Sequence, residues 1–164
     1  MRERIEALLR RRFYTDDDVR ALGTAAVPHV VELYRELRRG EGDTWRLALL
    51  AMLGVLDGDE GVAFLRGELA GAAGVDETTE IAAAEALART DHPDALAVVL
   101  PLLETGEKRM RRNVLAGLAG SVRAEVQARV RLAAGQDPDE AVREKAAEAA
   151  RAIEARMAGG EEPG

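Results

Sequence analysis

One stretch, His92–Val122 (HPDALAVVLPLLETGEKRMRRNVLAGLAGSV), constrains the fold most, because the rest of the chain repeats it with variations. Leu96, Val99, Leu100 and Leu103 fall at i, i+3, i+4 and i+7, the spacing of one apolar helix face. Gly106 interrupts that run, and Met110, Val114, Gly117 and Leu118 then mark a narrower stripe on a second helix. Neither helix can bury its stripe alone. The two must pair as a hairpin, and the hairpin must stack on neighbours of the same kind.

The same unit is read three more times. Val27, Val30, Tyr34 and Leu37 form the apolar face of one first helix; Gly40 and Gly42 turn the chain; Ala48, Ala51, Met52 and Val55 face inward from its partner. Val62, Leu65 and Leu69 precede a turn at Gly71–Gly74, followed by Thr79, Ala83, Ala86 and Leu87. Val126, Val130 and Ala133 pair with Val142, Ala146, Ala149, Ala150 and Ile153, and Gly159 and Gly160 end the last helix. Ala51, Ala86, Gly117 and Ala149 fill one small-residue slot, separated by 35, 31 and 32 residues. A larger side chain there would overpack the seam between adjacent helices. Ahead of these pairs, Arg2–Arg12 reads as a short amphipathic helix with Ile5, Leu8, Leu9 and Phe13 on its apolar face. Thr15 then reads as the N-cap of a second short helix whose first turn carries Asp16, Asp17 and Asp18, and which stops at Gly23.

Composition agrees with close helix packing. With aromatics at 3% of 164 residues, the core must be built from Ala, Leu and Val. The absence of Cys excludes disulfides, thiolate metal sites and a cysteine nucleophile, and suits a reducing compartment. A formal charge of −7 disfavours nucleic acid and anionic lipid as principal partners. Met1–Phe13 lacks the continuous apolar core of a signal peptide, and no run reaches the length of a membrane span, so a cytoplasmic protein is expected. Only Lys108 and Lys145 of the 23 basic residues are lysines, with three Ile and one Asn, which reads as a GC-rich, bacterial coding bias.

Two segments carry a more specific resemblance. LGTAAVPHVVELYREL (Leu22–Leu37) and DEAVREKAAEAARAI (Asp139–Ile153) resemble the two halves of the bacterial HEAT-like repeat of phycobilisome lyase-type proteins. Val27-Pro28-His29-Val30-Val31 matches the family's first helix, and Val142-Arg143 followed by Ala146, Ala147 and Ala149 matches its second. The resemblance extends from about Leu22 to Ile153 and implies a fold more than a function, since the family includes scaffolds, subunits, lyase-like proteins and a few DNA glycosylases. Its arginine slot is filled here by Trp45, Glu80, Arg111 and Arg143, so the family's ladder of Asp–Arg contacts between repeats should be interrupted in the middle.

Four segments invite a chemical reading. Asp57-Gly58-Asp59-Glu60-Gly61 opens like a calcium loop, with Glu68 at the twelfth position, but Gly61 replaces the fifth ligand and Val62 the required glycine. It reads better as an acidic helix start. His29 and His92 lie in different repeats without partners nearby in sequence, and read as solvent-facing or capping residues, with no metal or cofactor expected. Lys108, Arg109, Arg111 and Arg112 form the one concentrated basic patch, read as a solvated face or a docking point for an acidic peptide or phosphate. Trp45–Leu56 is apolar nearly all round, since Leu47, Leu49, Leu50 and Leu53 add to its inward set. Two readings of that helix stand side by side: a surface capped by the N-terminal helix, or an exposed binding patch.

The expected architecture is an all-α, right-handed α-solenoid of HEAT-like hairpins forming a single domain over 1–158. Capping helices occupy 1–23, helix pairs occupy 24–57, 58–91, 92–122 and 123–158, and 159–164 is a disordered tail. The expected function is a non-catalytic interaction module or scaffold that binds a protein or peptide on the concave side of its second helices. The alternatives are a HEAT-like enzyme, as a DNA glycosylase or lyase, and an immunity-type or regulatory inhibitor of a basic protein. On the resemblance, the arginine slot and the residue four later face outward, which nominates Trp45, Leu49, Arg111, Arg112 and Leu115 as partner-binding.

Overall fold

Thr15 accepts a hydrogen bond from the Asp18 amide through its Oγ1 (3.2 Å), and its own amide donates to the Asp18 carboxylate (2.8 Å). This reciprocal box opens α2 (Asp16–Arg20) as the sequence expects, and it holds the Asp18 carboxyl below the usual carboxylate range. The computed structural model describes residues 1–11, 13–37, 43–71 and 76–159. The turn at Gly40 and Gly42, most of the turn at Gly71–Gly74, Arg12 and residues 160–164 lie outside the described residues.

The other helices are α1 (Arg2–Arg10), α3 (Val27–Glu36), α4 (Asp43–Leu56), α5 (Asp59–Leu69), α6 (Glu77–Thr90), α7 (Pro93–Val99), α8 (Leu102–Thr105), α9 (Lys108–Leu118), α10 (Ala124–Gln136) and α11 (Glu140–Gly159), with a short 3-10 turn at Thr24–Ala26. None of the described residues lies in a strand, and no helix among them is long and apolar enough to cross a membrane. Two boundaries differ from expectation. α1 stops at Arg10, so Phe13 does not join its apolar face and is 81% exposed. The single first helix read over His92–Thr105 is two, because Pro101 has no amide to donate to the carbonyl four residues back.

α4, α6, α9 and α11 pack side by side in chain order, while α3, α5, α8 and α10 each lie against the second helix of their own pair. α1 rests on α3 through Ile5, Leu8 and Leu9, and Arg2 grips the Glu36 carboxylate with both terminal nitrogens (3.0 and 2.6 Å). One continuous aliphatic core runs from Ile5 to Ile153.

α6 sits between two glycines. A Cβ on Gly54 of α4 would lie 2.6 Å from the Ala86 carbonyl oxygen, and one on Gly117 of α9 would lie 2.4 Å from that of Glu85. The small-residue slot is therefore occupied as read at Ala86 and Gly117. On α4, however, the residue pressed against α6 is Gly54, and Ala51 is half-buried with Ala48 and Val55. The inward face of α4 is instead Leu49, Leu50, Met52, Leu53 and Leu56. Rotating the larger side chains inward wins because burial stabilises by about 25 cal/mol per Å² of apolar surface.

Candidate functional site

The five residues nominated from the sequence do not form one surface. Leu49 and Leu115 are fully buried in the core, and Ala84, at the equivalent position of α6, is buried with them. The expectation that the residue four after the arginine slot faces outward is thus corrected at these three positions, while the fourth, Ala147, is half-buried. Burying a Leu side chain stabilises by about 1.5–3 kcal/mol, so these positions turn inward. Trp45 is half-buried and packs against the core, and Arg112 alone of the five is exposed.

Arg111 is removed from solvent by a specific set of acceptors. Its Nε and Nη2 donate to the two oxygens of Asp137 (2.8 and 3.1 Å), and its Nη1 donates to the Gly106 carbonyl (2.7 Å). The Arg111 and Asp137 side chains are 13% and 4% exposed. Arg143 donates to the Asp137 backbone oxygen (2.7 Å), and Lys108 pairs with Asp139 (2.9 Å), which holds that carboxyl below its usual range. Two of the four residues of the basic patch are thereby committed to the junction of α9 with α11. Arg109 and Arg112, three residues apart on α9, are exposed, and their guanidinium groups have no hydrogen-bond or ion-pair partner among the described residues.

Arg109 borders a groove across α4, α6 and α9. A concavity of about 260 Å³ is lined by Leu47 and Ala51 of α4, by Thr78, Ala82, Glu85 and Arg89 of α6, and by Arg109 and Asn113 of α9, with Ile81 and Ala86 below. Glu85 is engaged by Arg89 (3.4 Å), which also reaches Asp16 at the start of α2 (3.7 Å). The groove therefore has an apolar floor, one balanced ion pair, and Arg109 at one wall. Such a surface can hold an apolar side chain next to an anionic one.

A second polar cluster is buried under the first helices. The Tyr34 hydroxyl of α3 donates to Glu68 of α5 (2.5 Å) and accepts from Arg46 of α4 (3.2 Å), whose guanidinium also lies over the Tyr34 ring. Burial, and then the bond to the Glu68 carboxylate, push the Tyr34 hydroxyl pKa up to about 12. Phe64 meets the Tyr34 ring edge to face, with centroids 5.2 Å apart. This cluster ties three helices together.

The histidines have local roles. His29 is exposed on α3, whereas His92 caps α7 by accepting the Asp94 amide (3.2 Å) and lies 3.2 Å from an oxygen of Asp59. Asp59 and Glu60 form the first turn of α5 after a left-handed Asp57, and Asp59 is almost wholly exposed. Among the described residues, no three His, Cys, Asp or Glu side chains are grouped so as to hold a metal ion. No protein-family model, curated protein or solved structure matches the chain.

Arg109 belongs to the basic patch and Leu47 to the apolar helix singled out from the sequence, whereas Ala82, Glu85 and Arg89 were not read as site residues. On α6 the signal is weak, because alanine lies on every side of IAAAEALA and does not mark a face. The polar members Thr78, Glu85 and Arg89 do fall at i, i+7 and i+11, the spacing of one outward stripe.

Proposed function

We propose that the chain is a small HEAT-like α-solenoid that serves as a non-catalytic protein-interaction module, with its partner seated on the concave face of the second helices. The observation that carries this reading is the groove over α4, α6 and α9, where an apolar floor meets the exposed Arg109. The chain-order packing of α4, α6, α9 and α11 supports the repeat architecture, and the Arg111–Asp137 pair is a rung of the kind the HEAT-like resemblance implies. Arginine in a partly apolar setting is among the residue types that most often dominate binding energy. Arg111, Leu49 and Leu115 shape the face from beneath, and Trp45 belongs to the edge of the core.

The test is affinity capture from the source cell extract, comparing the native chain with Ala51→Arg/Ala82→Arg. A partner held by the native chain and lost from this variant, with unchanged circular dichroism, is the expected result. A partner held equally by both moves the binding surface elsewhere. Release of a base from alkylated DNA by the native chain would replace this reading with the glycosylase alternative.

A further inference from the structure

We propose that a pocket between α6, α8 and α9 accepts an arginine side chain presented by a partner protein. Its guanidinium would pair with Glu80 and Glu107, and its methylenes would lie against Ile81, Leu102 and Met110. The inference rests on the reading of the chain as a protein-interaction module. It adds a contact of stated chemistry beside the groove, with which the pocket shares Ile81.

The first observation is an internal comparison. At the junction of α9 with α11, Arg111 donates to both oxygens of Asp137, 26 residues further on, and the pair is largely shielded from water. Glu80 and Gly106 stand in the same register one repeat earlier, each 31 residues before its counterpart. The arginine slot of α6 thus holds an acid, and the position of the facing acid holds a residue without a side chain. Where the later junction is filled by its own ion pair, this one has a concavity of about 320 Å³ lined by both Glu80 and Gly106.

The second observation is charge. Three carboxylates line the pocket, those of Glu77, Glu80 and Glu107, and no cationic side chain does. None of the three has a hydrogen-bond or ion-pair partner among the described residues. The surrounding cations are committed elsewhere: Lys108 to Asp139, Arg111 to Asp137 and the Gly106 carbonyl, and Arg46 to Tyr34, beside the capping carboxylate of Asp76. Glu77 and Glu107 sit at helix starts, where each dipole supplies only about half a unit of positive charge, so the pocket stays negative. Ile81 is buried and Leu102 and Met110 are half-buried, which offers apolar contact to the stem of a long cation. Arginine suits the site better than lysine because its planar fork of donors can serve carboxylates on both walls, whereas an ammonium is a compact point charge. The larger cleft between α8 and α10 makes no such demand, since its Arg129 pairs with Glu104 and its Arg111 with Asp137.

The probe is a short end-blocked peptide with an arginine between leucines, accompanied by citrulline and lysine counterparts. Binding is read from the amide chemical shifts of Ile81, Gly106 and Met110 in the native chain, in Glu80→Gln/Glu107→Gln, and in the control pair Glu32→Gln/Glu60→Gln. The control removes the same charge at exposed acids of α3 and α5, and circular dichroism confirms that each variant is folded. The arginine peptide should move these amides and bind less tightly as salt rises. The citrulline peptide, and the Glu80/Glu107 variant with the arginine peptide, should each lose at least about tenfold in affinity while the control keeps it. No shift at these amides with millimolar peptide, equal binding of citrulline, or equal loss in the control pair overturns the proposal. Equal binding of the lysine peptide overturns the preference for arginine. A captured partner lost from Ala51→Arg/Ala82→Arg without these shifts makes this inference fail alone. The shifts without that loss make the groove reading fail alone, and the absence of both ends both.

Discussion

The middle of the helix stack and its two ends are held together by different physics. Around α6 the contacts are dry: Gly54 and Gly117 bring neighbouring backbones so close that a single added carbon would collide with a carbonyl. At the ends an arginine is buried instead. Arg46 donates to and covers Tyr34, which is bonded to Glu68, whereas Arg111 is clasped by Asp137. Dry packing depends on shape and tolerates no added volume. The polar joints depend on satisfied partners, so removing one member exposes the others to an unmet desolvation cost.

The largest effect is expected at the amino-terminal joint. Arg46→Met keeps much of the side-chain volume but leaves the buried Glu68 carboxylate without the nearby guanidinium, and should destabilise the fold by about 4 kcal/mol. Urea unfolding at neutral pH measures it. A loss no greater than that of an exposed arginine variant would mean that this end is held by packing alone.

The dry middle should come next. Gly117→Val places its Cβ against the Glu85 carbonyl and the Ala88 side chain and should cost about 3 kcal/mol by forcing α9 off α6. Gly67 of α5 has open space around its Cα, so Gly67→Ala should stabilise by about 0.5–1 kcal/mol through helix propensity. If both glycines respond with the same sign, the close approach does not govern the seam.

The all-helical class was legible because Leu, Val and Ile recur at helical spacing in nearly every segment, and burial follows that spacing at Leu65, Leu96, Val114, Val126 and Ile153. The N-cap at Thr15 was legible for the same local reason. The orientation of α4 was not, since Leu, Ala, Met and Val on all sides leave several faces of similar hydrophobicity. The reading took Ala51 as inward and, on the resemblance, Leu49 as outward, whereas Leu49 is fully buried and Ala51 half-buried. Reading Arg111 as an exposed anchor failed differently: its partner, Asp137, lies 26 residues away between α10 and α11, and sequence spacing alone does not disclose that pairing. The Tyr34–Arg46–Glu68 cluster has the same origin, three residues from three helices with no common period.

The carboxy-terminal joint should break less severely than its counterpart. Asp137→Ala removes both bonds to Arg111 and the bond from the Asp139 amide (2.9 Å), but Arg111 lies close enough to the surface to recover water. A cost of about 2 kcal/mol is expected, with hydrogen exchange rising first at the start of α11. Global loss of the fold without that local signal would make Asp137 a core residue of the whole stack.

Among the variants of the polar joints, Tyr34→Phe should have the smallest effect and the most diagnostic pH dependence. The substitution removes one hydroxyl that donates to Glu68 and accepts from Arg46, while keeping the ring under Arg46 and against Phe64, and should cost about 1–2 kcal/mol near neutral pH. The sign of its pH response follows from linkage. Folding raises the Tyr34 pKa from 10.0 to about 12, so the folded state holds the phenolic proton where the unfolded chain has begun to release it. The associated stabilisation is complete below pH 10 and declines as pH rises toward and through about 12. In Tyr34→Phe this contribution to the decline disappears, although Tyr14, also raised by burial, retains a contribution of its own. Urea midpoints across that window, with phenolate absorbance followed in parallel, separate the two tyrosines. An unchanged slope in the variant would mean that Tyr34 ionises as freely in the folded chain as in the unfolded one, and the amino-terminal joint would then be as dry in its energetics as the glycine seam beside it.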